Sequence, residues 1–144
     1  MPEFGIVTTV PGTRQREGNH PLEHIVGALV SQTKDRYEPF LALGHSGGAA
    51  PSHSLAADRY IAKRALRGEP AVLLIDDTWT TGGNAQSAAL ALRAAGAAKV
   101  AIVVVGRHFD RSFRDCETYY QLAKSIRFTW DSCCLEFTAA ALAG

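Results

Sequence analysis

Two adjacent carboxylates, Asp76 and Asp77, stand just ahead of Thr80-Thr81-Gly82-Gly83-Asn84. That combination of residue types suits a sugar phosphate. A carboxylate offers two acceptor oxygens to the vicinal hydroxyls of a ribose, directly or through a Mg²⁺ ion that keeps its waters. A phosphate needs donors instead. Thr80 and Thr81 bring hydroxyls, while Gly82 and Gly83 let the backbone turn tightly and approach an anion with its N–H groups. The segment from Ala85 to Arg93 is rich in Ala and Leu and predicts a helix. Its N-terminus adds a field worth roughly 0.3 to 1 kcal/mol to an anion at an exposed site. On this reading Asp76 and Asp77 hold the sugar and a metal ion, Thr80 to Asn84 hold the phosphate, and Asn84 caps the helix. A merely structural strand-to-helix junction has no need of two carboxylates followed by such a loop.

Those residues require a strand in front of them. Val72-Leu73-Leu74-Ile75 is apolar at every position, as in a parallel strand buried on both faces, and the carboxylates fall at its end. That is the edge at which open α/β sheets bind ligands. Val100 to Val105, following Gly96, predicts the next strand, and Phe4 to Val10, stopped by Pro11-Gly12, predicts a further one. Pro21 opens an apolar periodic stretch through Leu22, Ile25, Val26, Leu29 and Val30, which predicts an amphipathic helix. Pro39 to Leu43 predicts a short strand, Ser52 to Tyr60 a cover over the site, and Arg111 to Lys124 a helix. Tyr60-Ile61-Ala62 fits an edge strand or a helix, and periodicity does not decide. The fold class expected is α/β, a mainly parallel sheet flanked by helices with ligand loops at the C-terminal strand ends, in one domain spanning 1–144. Within it, 109–144 is expected to form a small C-terminal hood, tail or interface segment.

Composition narrows the setting. With 47% hydrophobic and 20% charged residues in 144, the chain can bury one sizeable core. A formal net charge of +1 gives no support to nucleic-acid binding. There is no apolar run of membrane-spanning length and no signal-peptide pattern, so a cytoplasmic protein without a membrane partner is expected. Cys116, Cys133 and Cys134 form neither an even framework nor a Cys-x-x-Cys pair, which predicts reduced thiols. His20 and His24 have the spacing of two ligands on a helix but no third ligand nearby, so capping or surface roles are expected. No Gly-x-x-x-x-Gly-Lys-Ser/Thr occurs, which speaks against a P-loop.

The apolar strand, Asp76-Asp77, two intervening residues and Thr80-Thr81-Gly82 together resemble the signature of the type I phosphoribosyltransferases. Thr78 and Trp79 stand where two aliphatics are usual, and Asn84 where Ser or Thr is usual. The resemblance runs through Gly96 and the Val100 strand to about Arg107. Val10-Pro11, the arginines after it and Gly18-Asn19 further look like the competence-associated subfamily. The resemblance implies a phosphoribosyltransferase that binds 5-phosphoribosyl 1-pyrophosphate with Mg²⁺ and passes the phosphoribosyl group to a nitrogen acceptor such as a nucleobase. The same loop would equally serve a non-catalytic regulatory protein that binds this compound or a nucleotide. In this family a loop after an early strand receives the pyrophosphate, which makes Arg14 and Arg16 the candidates, since a guanidinium presents a planar fork to phosphate oxygens. Arg59 sits where the subfamily has an arginine before an aromatic, and Arg107 at a strand end and Trp79 in the loop are candidates for the acceptor or cover side. A homodimer is the assembly expected for a domain of this size and family.

Overall fold

The computed structural model describes residues 4–12, 20–46, 54–108, 110–113, 116–127 and 129. In chain order the elements are strand β1 (Ile6–Thr9), helix α1 (Pro21–His24) continuing into a π-helical turn (Ile25–Leu29), a 3-10 turn (Lys34–Arg36), strands β2 (Leu41–Leu43), β3 (Tyr60–Ala62) and β4 (Ala71–Trp79), helix α2 (Gly83–Ala94), strand β5 (Lys99–Arg107) and helix α3 (Cys116–Ser125). By internal contacts the chain divides into two compact units, Met1–Arg107 and His108–Gly144.

The first unit is an α/β structure on a three-stranded parallel sheet of order β1-β4-β5. Ile6 pairs with Val72 and Thr9 with Ile75, while Ala71 pairs with Lys99 and Trp79 with Arg107. Side chains alternate across a strand, so β4 serves two cores. Val72 and Leu74 pack with Ala88, Ala91 and Leu92 of α2. Leu73 and Ile75 face the other way, with Val7 of β1 and with Leu22 and Val26 of the first helical segment. The continuous apolar run of β4 follows from these two helical layers. Residues Ala85, Ala88 and Leu92 recur at helical spacing and are all buried.

The apolar stretch from Pro21 forms a single α-helical turn and then widens. Gly27 lies in the wide turn under the ring of Tyr37, where an added Cβ would come within 2.5 Å of a ring carbon. Close packing of that ring needs the glycine. Thr33 Oγ1 donates to the Val26 carbonyl at 2.6 Å, satisfying an acceptor of the distorted turn.

Tyr60-Ile61-Ala62 is a strand. It pairs antiparallel with β2, Leu41 opposite Ala62 and Leu43 opposite Tyr60, in a two-stranded sheet of its own. Leu41 and Tyr60 both join the core on the α2 side. The Tyr60 hydroxyl is buried and has no hydrogen-bond partner among the described residues; burial pushes it up to about 12.

In the second unit, α3 starts at Cys116 and not at Arg111. Asp110 Oδ1 accepts from the Ser112 N–H at 3.0 Å and from its hydroxyl at 2.6 Å, and these local bonds turn the chain before the helix can begin. Arg111 instead donates to both carboxylate oxygens of Glu117 and lies 4.7 Å from the centre of the Tyr120 ring. The thiol of Cys116 is free and half-buried; Cys133 and Cys134 lie outside the described residues. Among the described residues no helix is long and apolar enough to cross a membrane.

Candidate functional site

Because the three strands are parallel and in register, Thr9, Trp79 and Arg107 finish on one edge of the sheet. β4 runs on through Trp79, so the carboxylates lie inside the strand and not, as the sequence suggested, at its end. The ladder to β5 carries the strand past them, pairing Asp76 with Val104 and Thr78 with Gly106. Alternation then separates the doublet. Asp76 shares the parity of Val72 and Leu74 on the α2 side, and Asp77 that of Leu73 and Ile75 on the α1 side.

The two carboxylates consequently differ in environment. Asp76 is 9% exposed, whereas the Asp77 side chain is 55% exposed. Burial raises the Asp76 carboxyl to about 6, and the neighbouring charge of Asp77 pushes the same way. The Asp77 backbone N–H, donating to Asp76 Oδ1 at 3.0 Å, and the His20 ring pull against that rise. Asp77 has His20 for a neighbour, with Nε2 3.6 Å from Oδ2. Among the described residues neither carboxylate is paired with a lysine or arginine.

Past β4 the chain turns at Gly82, whose φ of +83° lies in the left-handed region. Gly82 is itself the N-cap of α2. Asn84 does not cap the helix. The left-handed glycine has already set the helix start two residues earlier, and the Asn84 side chain accepts from Arg59 Nη1 instead. Trp79 folds over the turn so closely that a Cβ on Gly82 would lie 2.2 Å from the indole. Packing is therefore one role of Trp79. Asp76, Thr78, Thr80, Thr81, Gly82, Gly83, Asn84 and Ala85 line a niche of about 30 Å³, room for about two water molecules. Among the described residues nothing accepts from the backbone N–H groups of Thr81 to Ala85. These are the orphan donors of a helix start, gathered around one small space.

Arg59, from the expected cover, is fully buried. Its Nη2 donates to the Ser54 carbonyl at 3.2 Å and to the Ser54 hydroxyl at 3.3 Å, while Nη1 serves Asn84. Beside it the Ala56 N–H donates to Ser87 Oγ at 3.0 Å, and that hydroxyl donates to the Gly83 carbonyl at 2.6 Å. The stretch 54–59 is thus tied to the first turn of α2 at two points. Arg59 acts on the niche through Asn84 and does not line it. Arg59→Lys keeps the charge and loses the planar fork, so it should cost about 1 to 3 kcal/mol in urea denaturation, because Asn84 and Ser54 acceptors lose a donor.

Arg14 and Arg16, the candidates for pyrophosphate, lie outside the described residues. Thr80 and Thr81 are exposed at the rim of the niche, and Gly83 is the first residue of α2. Arg107 is exposed at the end of β5, in register with Trp79. His20, Thr78 and Ser87 are participants that sequence reasoning did not assign to the site. Thr78, next to the carboxylate doublet, and Ser87, four residues after Gly83 on one helix, offered a positional signal.

Among the described residues no three His, Cys, Asp or Glu side chains are grouped as a metal cage. The donor set nevertheless fits Mg²⁺. It binds through one or two carboxylates while keeping several waters and substrate oxygens, and Asp76 and Asp77 supply hard oxygens that, among the described residues, no lysine or arginine takes up. A larger open groove, about 560 Å³, lies at the other edge of the sheet between Phe4, Ala71, Ala89 and Lys99. It is mostly apolar, and Arg93 on its wall is bound to the Ala97 carbonyl at 2.8 Å, so it lacks convergent groups for a polar ligand. Comparison with protein families, with curated proteins and with solved structures finds no match to this chain.

Proposed function

We propose that the protein binds 5-phosphoribosyl 1-pyrophosphate with Mg²⁺ and transfers the phosphoribosyl group to a nitrogen acceptor such as a nucleobase, releasing pyrophosphate, as a type I phosphoribosyltransferase-like domain. The observation that carries this reading is the niche at the start of α2, where a row of unengaged backbone N–H groups adjoins the buried carboxyl of Asp76. Donors and an acid side by side match a phosphate joined to a polyhydroxyl ring.

In this mechanism the N–H groups of Thr81 to Ala85 and the hydroxyls of Thr80 and Thr81 bind the 5′-phosphate. Asp76 and Asp77 accept from the ribose hydroxyls and are the residues that would hold Mg²⁺, directly or through water. The ion, when bound, neutralises charge on the departing pyrophosphate. Arg14 and Arg16 are assigned to that pyrophosphate, and Trp79 and Arg107 to the side from which the acceptor arrives. The acceptor nitrogen forms its bond to the anomeric carbon as the bond to pyrophosphate oxygen breaks, and the electron pair of that bond leaves with pyrophosphate. No protein nucleophile is needed. The chain contributes orientation and fixed dipoles, which act most strongly where the ring gains positive character.

Calorimetric titration with 5-phosphoribosyl 1-pyrophosphate and Mg²⁺, followed by pyrophosphate release against a panel of nucleobases, tests the proposal. Saturable binding with release for one base is expected. Binding without release for any base would favour the regulatory alternative, and absence of binding would overturn the assignment of the loop.

A further inference from the structure

We propose that His20 is a positioning residue for the Asp77 carboxylate, and through it for the metal and sugar; this rests on the function proposed above. His20 stands at the N-cap of α1 with extended backbone angles, φ −62° and ψ 137°. Its Nδ1 accepts from the Leu22 N–H at 3.2 Å. An imidazole whose Nδ1 is an acceptor carries its proton on Nε2. That nitrogen is the one 3.6 Å from Asp77 Oδ2, longer than a hydrogen bond and close enough to become one with a small movement of either side chain. The cap therefore selects the tautomer that points a donor at the acid. The His20 side chain is 25% exposed, so the ring is held by its surroundings as well as by the cap.

Each acid of the doublet has its own support. Asp76 receives the Asp77 N–H, and Asp77 has the His20 ring. An outer partner of this kind sets the direction of a carboxylate that would bind Mg²⁺.

Capping and positioning are separable by substitution. Asn is among the best N-cap residues, so His20→Asn keeps the acceptor for Leu22 but is too short to approach Asp77. His20→Ala removes both functions. The thermal midpoint should fall in His20→Ala and stay at the wild-type value in His20→Asn. Affinity for 5-phosphoribosyl 1-pyrophosphate with Mg²⁺ should fall by about tenfold or more in both. In an Asp77→Asn background, adding His20→Asn should cost nothing further. Wild-type affinity in His20→Asn, or an undiminished loss in the Asp77→Asn background, would overturn the role of His20 while leaving the proposed function standing. Failure of the wild-type protein to bind the compound would remove the proposed function and this role with it.

Discussion

On the proposed function, Asp76→Asn will lower phosphoribosyl transfer by about 100-fold or more, and it will at the same time make the ligand-free protein more stable above pH 6. The two effects have one cause. The Asp76 carboxyl has an ordinary value of 3.8 and is raised to about 6 in the fold, chiefly by burial and next by the charge of Asp77. Between those values the folded protein keeps a proton that the unfolded chain has released, so stability falls as pH rises through this window. Above pH 6 the ionised group carries the whole cost, on the order of 3 kcal/mol. Asn occupies the same space without a charge. Urea midpoints of the two proteins should therefore diverge as pH rises from 4 to 6, with the variant ahead, and coincide below. Ligand binding should show the opposite dependence on pH, because sugar hydroxyls and Mg²⁺ favour the ionised acid: affinity in the wild type should weaken as pH falls through 6. A variant less stable at every pH would mean that Asp76 holds the fold together, and unchanged turnover would remove it from the chemistry.

Gly82→Ala should be the most disruptive single-methyl change in the loop. A left-handed backbone costs a residue with a Cβ about 1 to 2 kcal/mol. The new methyl would in addition meet the Trp79 indole at 2.2 Å, and overpacking of this kind typically costs a further 1 to 3 kcal/mol. The loop has two ways to relieve the strain, and either one spoils the niche: the indole swings away or the N–H groups of the first helical turn change direction. Loss of anion binding together with a lower denaturation midpoint is the expected result. Adding Trp79→Ala should recover much of the stability, since the overlap is gone, and little of the binding, since the strained φ remains. Full recovery of binding in the double variant would show that the steric overlap, and not the glycine conformation, shapes the niche.

The layered part of the fold was legible because its signals are local and repeated. An apolar run bounded by Pro70 and Asp76, another after Gly96 and an Ala-rich segment between them leave few alternatives to a strand-helix-strand unit, and β4, α2 and β5 follow that pattern. Tyr60-Ile61-Ala62 was undecidable since three residues cannot display a period; its pairing with β2 settles it through contacts distant in sequence. The wide turn after His24 follows from the Tyr37 ring above Gly27, again a tertiary cause. Within the site, residue types were legible and partnerships were not. Asn84 has the chemistry of a cap, but Gly82 took that place by adopting a conformation no other residue adopts as cheaply. Arg59 was marked by its place before an aromatic, but its burial was not legible, because it depends on the acceptors that Asn84 and Ser54 bring to its guanidinium. His20 meets Asp77 only because β1 and β4 are neighbours, so the chain segments after and within them converge.

The strand that carries the acids has a property that bears on how the protein folds. Strand pairing is normally guided by a contrast between a greasy face and a wet one, which makes a slip of one residue costly. β4 offers no such contrast: Val72, Leu73, Leu74 and Ile75 suit either face, and Asp76 and Asp77 are alike as well. A slipped pairing would therefore meet little resistance from the strand itself. A fixed point lies at the far end, where Trp79 closes onto Gly82. The turn that frames the niche would then double as the stop that keeps a nascent sheet from misaligning, and errors at Gly82 would appear in the yield of correctly folded chains.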